Sequence, residues 1–136
     1  MNAQIKQVLA GLQSRNIKAV FAENSKEGRK KILYLIPRGA VVGIGDSTTI
    51  RQMKLPQTLL ERGRKVLDAF DPQREKMHPK ADREKHARIV KKATLSDAFL
   101  TGTNAITYDG RLVNVDAVGN RVAGMVWGHP LSIVVV

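Results

Sequence analysis

A glycine-rich turn is the first segment of the sequence whose residue types could do chemistry. Residues 40–45 form a continuously apolar run that contains Gly43 and ends at Gly45, and a helical pattern follows it. Glycine lets a ligand approach the main chain closely, and a helix amino terminus presents free N–H groups and the positive end of its dipole. The segment therefore predicts an anion-binding turn, with hydroxyl donors from three side chains: Ser47, Thr48 and Thr49.

The same turn has a plainer interpretation, in which Asp46 or Ser47 caps the following helix and nothing binds there. Asp46 would also repel an anion if its carboxylate pointed inward. The segment is not a P-loop, because no Lys follows the glycines in the required frame. It is not a complete dinucleotide fingerprint either, because Thr48 stands where the third glycine would be. The anion site and the capped turn both stay open.

A second set of polar residues follows a later apolar run. Residues 101–107 place small polar side chains at the end of that run, and residues 114–121 add Asn, Asp and Arg. Arg121 could hold a carboxylate or phosphate through two N–H groups, whereas Asp116 is the carboxylate to consider for acid–base work. Turn residues would have the same composition. The further ligand-binding candidates are neutral: Thr103, Asn104 and Asn120.

Alternating strand and helix patterns must position these candidates. The pattern predicts strands at 17–22, 40–45, 65–70, 97–101 and 131–136, with helices at 4–12, 26–36, 46–53, after Pro56 and near 119–125. This alternation predicts an α/β fold, a three-layer Rossmann-like mostly parallel sheet with helices on both faces. A hairpin turn at Asp109-Gly110 should make the sheet mixed at one place. Both candidate segments then lie at the carboxyl edge of the sheet, where ligands bind in open α/β folds.

Composition limits the class of protein. The chain has 136 residues, 43% of them hydrophobic and 4% aromatic, which predicts one domain over residues 1–136. The absence of Cys excludes disulfides, thiolate catalysis and Cys-ligated clusters. Neither a signal peptide nor a membrane-spanning run is expected, so a cytoplasmic protein is the prediction. The net charge of +11 favours acidic partners without choosing among them.

The motifs resemble the lactate-utilisation (LUD) domain family. The resemblance covers nearly the whole chain and is carried by GIGDSTT at 43–49, GTNAIT at 102–107, Asp109-Gly110, NVD at 114–116 and GNRVA at 119–123. It implies the fold of ribose-phosphate isomerases, glucosamine-phosphate deaminases and CoA transferases. It also implies a link to lactate oxidation, where some members act beside iron–sulfur proteins. Similar proteins continue past the final strand, so the resemblance implies a domain truncated after Val136, unless that strand is central and already covered.

The charged segment 71–93 resembles a variable helical insertion of that family. Its Lys and Arg residues would suit nucleic acid, but interspersed acidic residues and the i,i+4 pair Glu84–Arg88 favour a solvent-facing helix broken at Pro79. No metal site is expected, since Pro79 interrupts the helix that would align the only candidate ligands: His78, Asp82 and His86.

The functional expectation is a LUD-domain protein of lactate or related organic-acid utilisation that binds a small anionic or phosphorylated ligand at the strand ends. No cofactor is expected, and whether the chain is an enzyme stays open. One alternative is a non-catalytic subunit that docks an iron–sulfur electron-transfer partner. A second alternative is nucleic-acid binding through the basic helices, which is the less favoured partner. A homodimer is compatible with an exposed strand edge near the carboxyl terminus.

Overall fold

The computed structural model describes residues 1–70 and 79–136. Its elements in chain order are α1 (Ala3–Ser14), α2 (Ser25–Leu35), β1 (Val41–Ile44), α3 (Thr48–Gln52), α4 (Leu55–Glu61), β2 (Lys65–Asp68), α5 (Pro79–Ala93), β3 (Ala98–Gly102), β4 (Ala105–Ile106), β5 (Leu112–Val113), α6 (Asn120–Val126) and β6 (Leu131–Val135). Among these helices none is long and apolar enough to cross a membrane.

Four strands form a parallel sheet in the order β2-β1-β3-β6. The register pairs Ile44 of β1 with both Asp68 of β2 and Leu100 of β3, so these three strands end close to the same level. The predicted α/β class with a mostly parallel sheet is therefore confirmed. Within the described sheet β6 lies at an edge and not in the centre.

The predicted mixing of the sheet by a hairpin is wrong. Strands β4 and β5 pair antiparallel with each other in a separate two-stranded sheet. The physical reason is the position of β3, which leads into the hairpin. Both sides of β3 are already hydrogen-bonded, to β1 and to β6, so the hairpin has no free edge beside it.

The predicted strand at residues 17–22 is also absent from the described structure. Its main chain bonds to helices instead of a neighbouring strand. The Ile17 N–H donates to the Leu12 carbonyl at the end of α1, and the Phe21 carbonyl accepts a hydrogen bond from Lys31 Nζ in α2. A strand needs a partner at a sheet edge, and this segment has none within residues 1–70 and 79–136.

Helices cover both faces of the sheet. On one face α2, α3 and α4 enclose a core with the strand residues Val42, Ile44 and Leu100, all at most 1% exposed. On the other face Phe99 of β3 lies beneath Gly124 of α6, and α5 packs on β1 and β2. Alternate strand residues thus face opposite helical layers, which gives the three-layer arrangement.

The structure describes helix α5 over Pro79–Ala93. The predicted pair Glu84–Arg88 is present on its exposed surface, at 3.3 Å. The rest of the predicted 71–93 insertion, including His78, lies outside the described residues.

Helix α1 is clamped on the hairpin turn between β4 and β5. A Cβ atom on Gly110 would lie 2.3 Å from the Gly11 carbonyl carbon, so the two main chains touch. Arg15 donates to the carbonyl and the carboxylate of Asp109, at 2.9 and 3.0 Å. Hydrogen bonds from Thr107 and Arg111 lower the pKa of the Asp109 carboxyl to about 2. The ionised carboxylate therefore ties the turn to the helix.

Candidate functional site

The loops that follow β1 and β3 lie side by side at the carboxyl edge of the sheet. The Gly45 N–H donates to the Leu100 carbonyl at 2.9 Å. A Cβ atom on Gly102 would lie 2.5 Å from Ser47 Oγ, so the two chain segments are in contact. The parallel topology therefore brings the glycine-rich turn and the start of the second polar segment together, as the sequence predicts.

Arg121 connects these two loops. Its Nη2 donates to the Asp46 carbonyl at 2.7 Å, and its Nη1 donates to Asn104 Oδ1 at 2.8 Å. Asn104 Oδ1 also accepts the Val115 N–H at 2.9 Å, which orients the side-chain amide. The structure thus brings together Arg121 and Asn104, two of the predicted site residues, with the main chain of Asp46.

The charge of Arg121 is not compensated by a carboxylate. Across the part of the chain that the structure describes, no carboxylate oxygen lies within 4.0 Å of its guanidinium nitrogens, and both hydrogen-bond acceptors are neutral. An arginine that is oriented but unneutralised attracts an anionic ligand. Asn104 and Asp46 use one N–H group on each terminal nitrogen of Arg121, so a ligand would bind the remaining N–H groups of the guanidinium.

A second arginine at this edge is neutralised. Arg51 of α3 donates from both terminal nitrogens to the Asp68 carboxylate, each at 3.2 Å. Asp68 is 7% exposed and also accepts the Phe70 N–H at 2.9 Å. The Asp46 carboxylate lies 3.9 Å from Arg51 Nη2. Across the described residues both carboxylates therefore lie within 4.0 Å of Arg51, whereas neither lies within that distance of the Arg121 guanidinium.

Sequence reasoning missed Arg51 and Asp68. One signal could have identified Asp68, because it is the last residue of strand β2 and parallel strands end at a common edge. Arg51 carries no such signal, since an arginine within a short helix is ordinarily solvent-exposed.

Asp116 is occupied as a cap of α6. Its carboxylate accepts the Val122 N–H at 3.0 Å and the Val118 N–H at 3.3 Å. Partial burial raises the pKa of Asp116, but the hydrogen bonds from these and neighbouring main-chain groups outweigh it, and the pKa lies below its ordinary value. A carboxylate held ionised in this way is poorly placed to exchange protons near neutral pH.

The two glycines of the turn contact the protein itself. A Cβ atom on Gly43 would lie 2.2 Å from the Ala93 carbonyl oxygen, and one on Gly45 would lie 2.5 Å from Thr101 Oγ1. Close packing of the sheet against the α5 end and Thr101 is thus enough to require glycine at both positions. Their predicted role in ligand approach stays a prediction.

The predicted hydroxyl donors differ in their surroundings. Ser47 is buried and caps α3 by accepting the Ile50 N–H at 3.4 Å. Thr103 Oγ1 donates to the Val113 carbonyl at 3.0 Å. Thr48 is exposed and Thr49 is half-buried at the beginning of α3. Of this group, Thr48 is the most accessible to a ligand.

The remaining polar groups are buried next to the sheet. Asn120, the first residue of α6, is 8% exposed. Thr101 Oγ1 is buried, and no hydrogen-bond partner for it occurs in residues 1–70 and 79–136. Across the same residues no three His, Cys, Asp or Glu side chains are grouped to hold a metal ion.

Comparison with known proteins gives one match. The model of a family described as the LUD domain matches residues 5–136, which is nearly the whole chain. No curated protein and no solved structure matches this sequence.

Proposed function

The chain belongs to the LUD domain family, and on that premise we propose that it serves lactate or related organic-acid utilisation by binding a small anionic or phosphorylated ligand at the carboxyl ends of β1 and β3. Membership of the LUD domain family is consistent with a role in lactate utilisation. The location follows from the general rule that open α/β sheets bind ligands beyond the carboxyl ends of their strands.

The observation that carries the proposal is the pair of neutral acceptors on Arg121. Asn104 Oδ1 and the Asp46 carbonyl hold the guanidinium in place without cancelling its charge. The neighbouring carboxylates have other partners: Arg51 for Asp68 and main-chain N–H groups for Asp116. A bound carboxylate or phosphate would supply the missing negative charge. Thr48, which is exposed and follows Asp46 by two residues, is the candidate hydroxyl donor.

The proposed role is binding, without an assigned proton transfer. Asn104 cannot act as an acid or base near neutral pH. Asp116 is engaged by α6 and has a lowered pKa. The ligand is therefore held by Arg121 and the hydroxyl donors, whatever reaction follows.

The test is an isosteric change of charge, Asn104→Asp. A carboxylate at this position can still accept from Arg121 and from the Val115 N–H, so the fold is retained while the charge of Arg121 is cancelled. The matched control is Asn24→Asp, which adds the same charge at the cap of α2, where Asp caps as well as Asn.

Both variants and the parent are measured by thermal shift against L-lactate, inorganic phosphate, sugar phosphates, CoA esters, folates, nucleotides and short DNA. A ligand at about 100 times its dissociation constant adds about 2.7 kcal/mol of stability. We expect an anion to stabilise the parent and Asn24→Asp but not Asn104→Asp. Equal stabilisation of all three proteins would place the anion elsewhere and refute the proposed site. Stabilisation only by DNA would favour nucleic-acid binding.

A further inference from the structure

The carboxylate of Asp46 is an internal competitor for the guanidinium of Arg121, because it belongs to the residue whose carbonyl that guanidinium already binds. The carbonyl of the same residue already accepts from Arg121 Nη2 at 2.7 Å. The Asp46 side chain is 61% exposed, so little packing opposes a χ1 rotamer that turns the carboxylate towards that guanidinium. A pair between them would cancel the charge that the proposed ligand needs.

In the structure the carboxylate lies instead near Arg51, with 3.9 Å between Asp46 Oδ1 and Arg51 Nη2. The position of Arg51 is determined by Asp68, which binds both of its terminal nitrogens at 3.2 Å. Asp68 is itself fixed, because it is 7% exposed and accepts the Phe70 N–H. The buried carboxylate of Asp68 thus orients the Arg51 guanidinium beside the exposed carboxylate of Asp46.

We propose that Arg51 is a positioning residue that holds the Asp46 carboxylate away from Arg121 and so keeps the anion site open. Asp68 acts with it, by fixing the guanidinium of Arg51 at the end of β2. This inference rests on the proposed function and adds residues from α3 and β2 to the determinants of anion affinity.

Arg51→Met alone would leave the Asp68 carboxylate buried and unpaired, which is strongly destabilising. The experiment therefore removes both charges with Arg51→Met/Asp68→Asn, in which the introduced amide retains an oxygen for the Phe70 N–H. A second protein adds Asp46→Asn to the same pair, and Asp46→Asn alone is the control. Circular dichroism and the urea midpoint verify that each protein is folded.

The dissociation constant of inorganic phosphate is measured by calorimetry for each protein, together with Arg121→Met. We expect phosphate to bind the Arg51→Met/Asp68→Asn protein about fivefold more weakly than the parent. In that protein an exposed Asp46–Arg121 ion pair would compete with phosphate, and about fivefold is the effect of one exposed ion pair. Adding Asp46→Asn should restore the affinity to that of Asp46→Asn alone, because the competing charge is gone. Asp46→Asn removes a negative charge beside the site and strengthens phosphate binding in any background, so the single variant is the reference. If Arg51 has a merely structural role, the gain from Asp46→Asn is the same with and without Arg51.

The outcomes separate the two proposals. If the parent and Arg121→Met have the same phosphate affinity, the proposed anion site fails, and the positioning role of Arg51 is overturned with it. If Arg121→Met loses binding but the Arg51→Met/Asp68→Asn protein binds like the parent, only the positioning role is overturned. An equal gain from Asp46→Asn with and without Arg51 also overturns it.

Discussion

Replacement of Gly124 by Ala tests whether the close contact between α6 and β3 is required. A Cβ atom on Gly124 would lie 2.3, 2.4 and 2.6 Å from three ring carbons of Phe99. Phe99 is 1% exposed and its ring stacks on His129 with 5.4 Å between centroids, so it has little room to move. The same helix carries Arg121 in its first turn.

Two opposing effects decide the sign. Ala is favoured over Gly inside a helix by about 1 kcal/mol. Overpacking a rigid core costs about 1–3 kcal/mol. Because three contacts would be far below van der Waals distance, we expect the overpacking cost of Gly124→Ala to lie near the upper end of that range. We therefore expect Gly124→Ala to lower the free energy of unfolding by about 1–2 kcal/mol.

The matched control is Gly28→Ala, in the interior of α2. Its Cβ atom would meet the flexible end of Met53 at 3.2 Å and Ala22 Cβ at 3.6 Å, contacts that small shifts can relieve. Without a rigid clash the helix preference prevails, and we expect a gain of about 0.5–1 kcal/mol.

Urea denaturation followed by circular dichroism gives both values, provided that the dependence on urea is unchanged. Adding Phe99→Leu should partly rescue Gly124→Ala, since the smaller side chain makes room for the new methyl group, with a coupling of about 0.5–3 kcal/mol. If Gly124→Ala is as stable as Gly28→Ala, the packing argument is refuted.

Two further predictions concern the clamp between α1 and the hairpin turn. Gly110 (φ +79°) and Gly39 (φ +83°) both have a left-handed main chain, but only Gly110 is in contact with Gly11. In urea denaturation Gly39→Ala should lower the free energy of unfolding by about 1 kcal/mol, the cost of the left-handed conformation. Gly110→Ala should lower it further, because its new Cβ atom would also collide with the Gly11 main chain. Because the pKa of Asp109 is about 2 in the folded chain and about 3.9 in an unfolded one, its contribution is complete above about pH 4 and lost as the pH falls towards 2. The stability difference between the parent and Asp109→Asn should therefore disappear over that range, and a pH-independent difference would contradict the prediction.

The parallel core could be read from local patterns. A continuous apolar run ending in glycine predicted β1, and the helical pattern at 26–36 predicted α2, because both signals depend on residues close together in the chain. The hairpin turn at Asp109-Gly110 was predicted for the same reason. Its exclusion from the main sheet was not, because that depends on which strands already flank β3.

The candidate site divides in the same way. The residue types at the strand ends, and the rule that parallel strands end at one edge, determined where the polar residues would gather, and the matching LUD family is recognisable from those motifs alone. The partners were decided only by the tertiary structure. Arg121 contacts the main chain of Asp46 across 75 residues, and Gly43 is required by the end of α5, a helix distant in the chain. Such contacts depend on how helices settle on the sheet, which side-chain packing decides and local residue preferences do not.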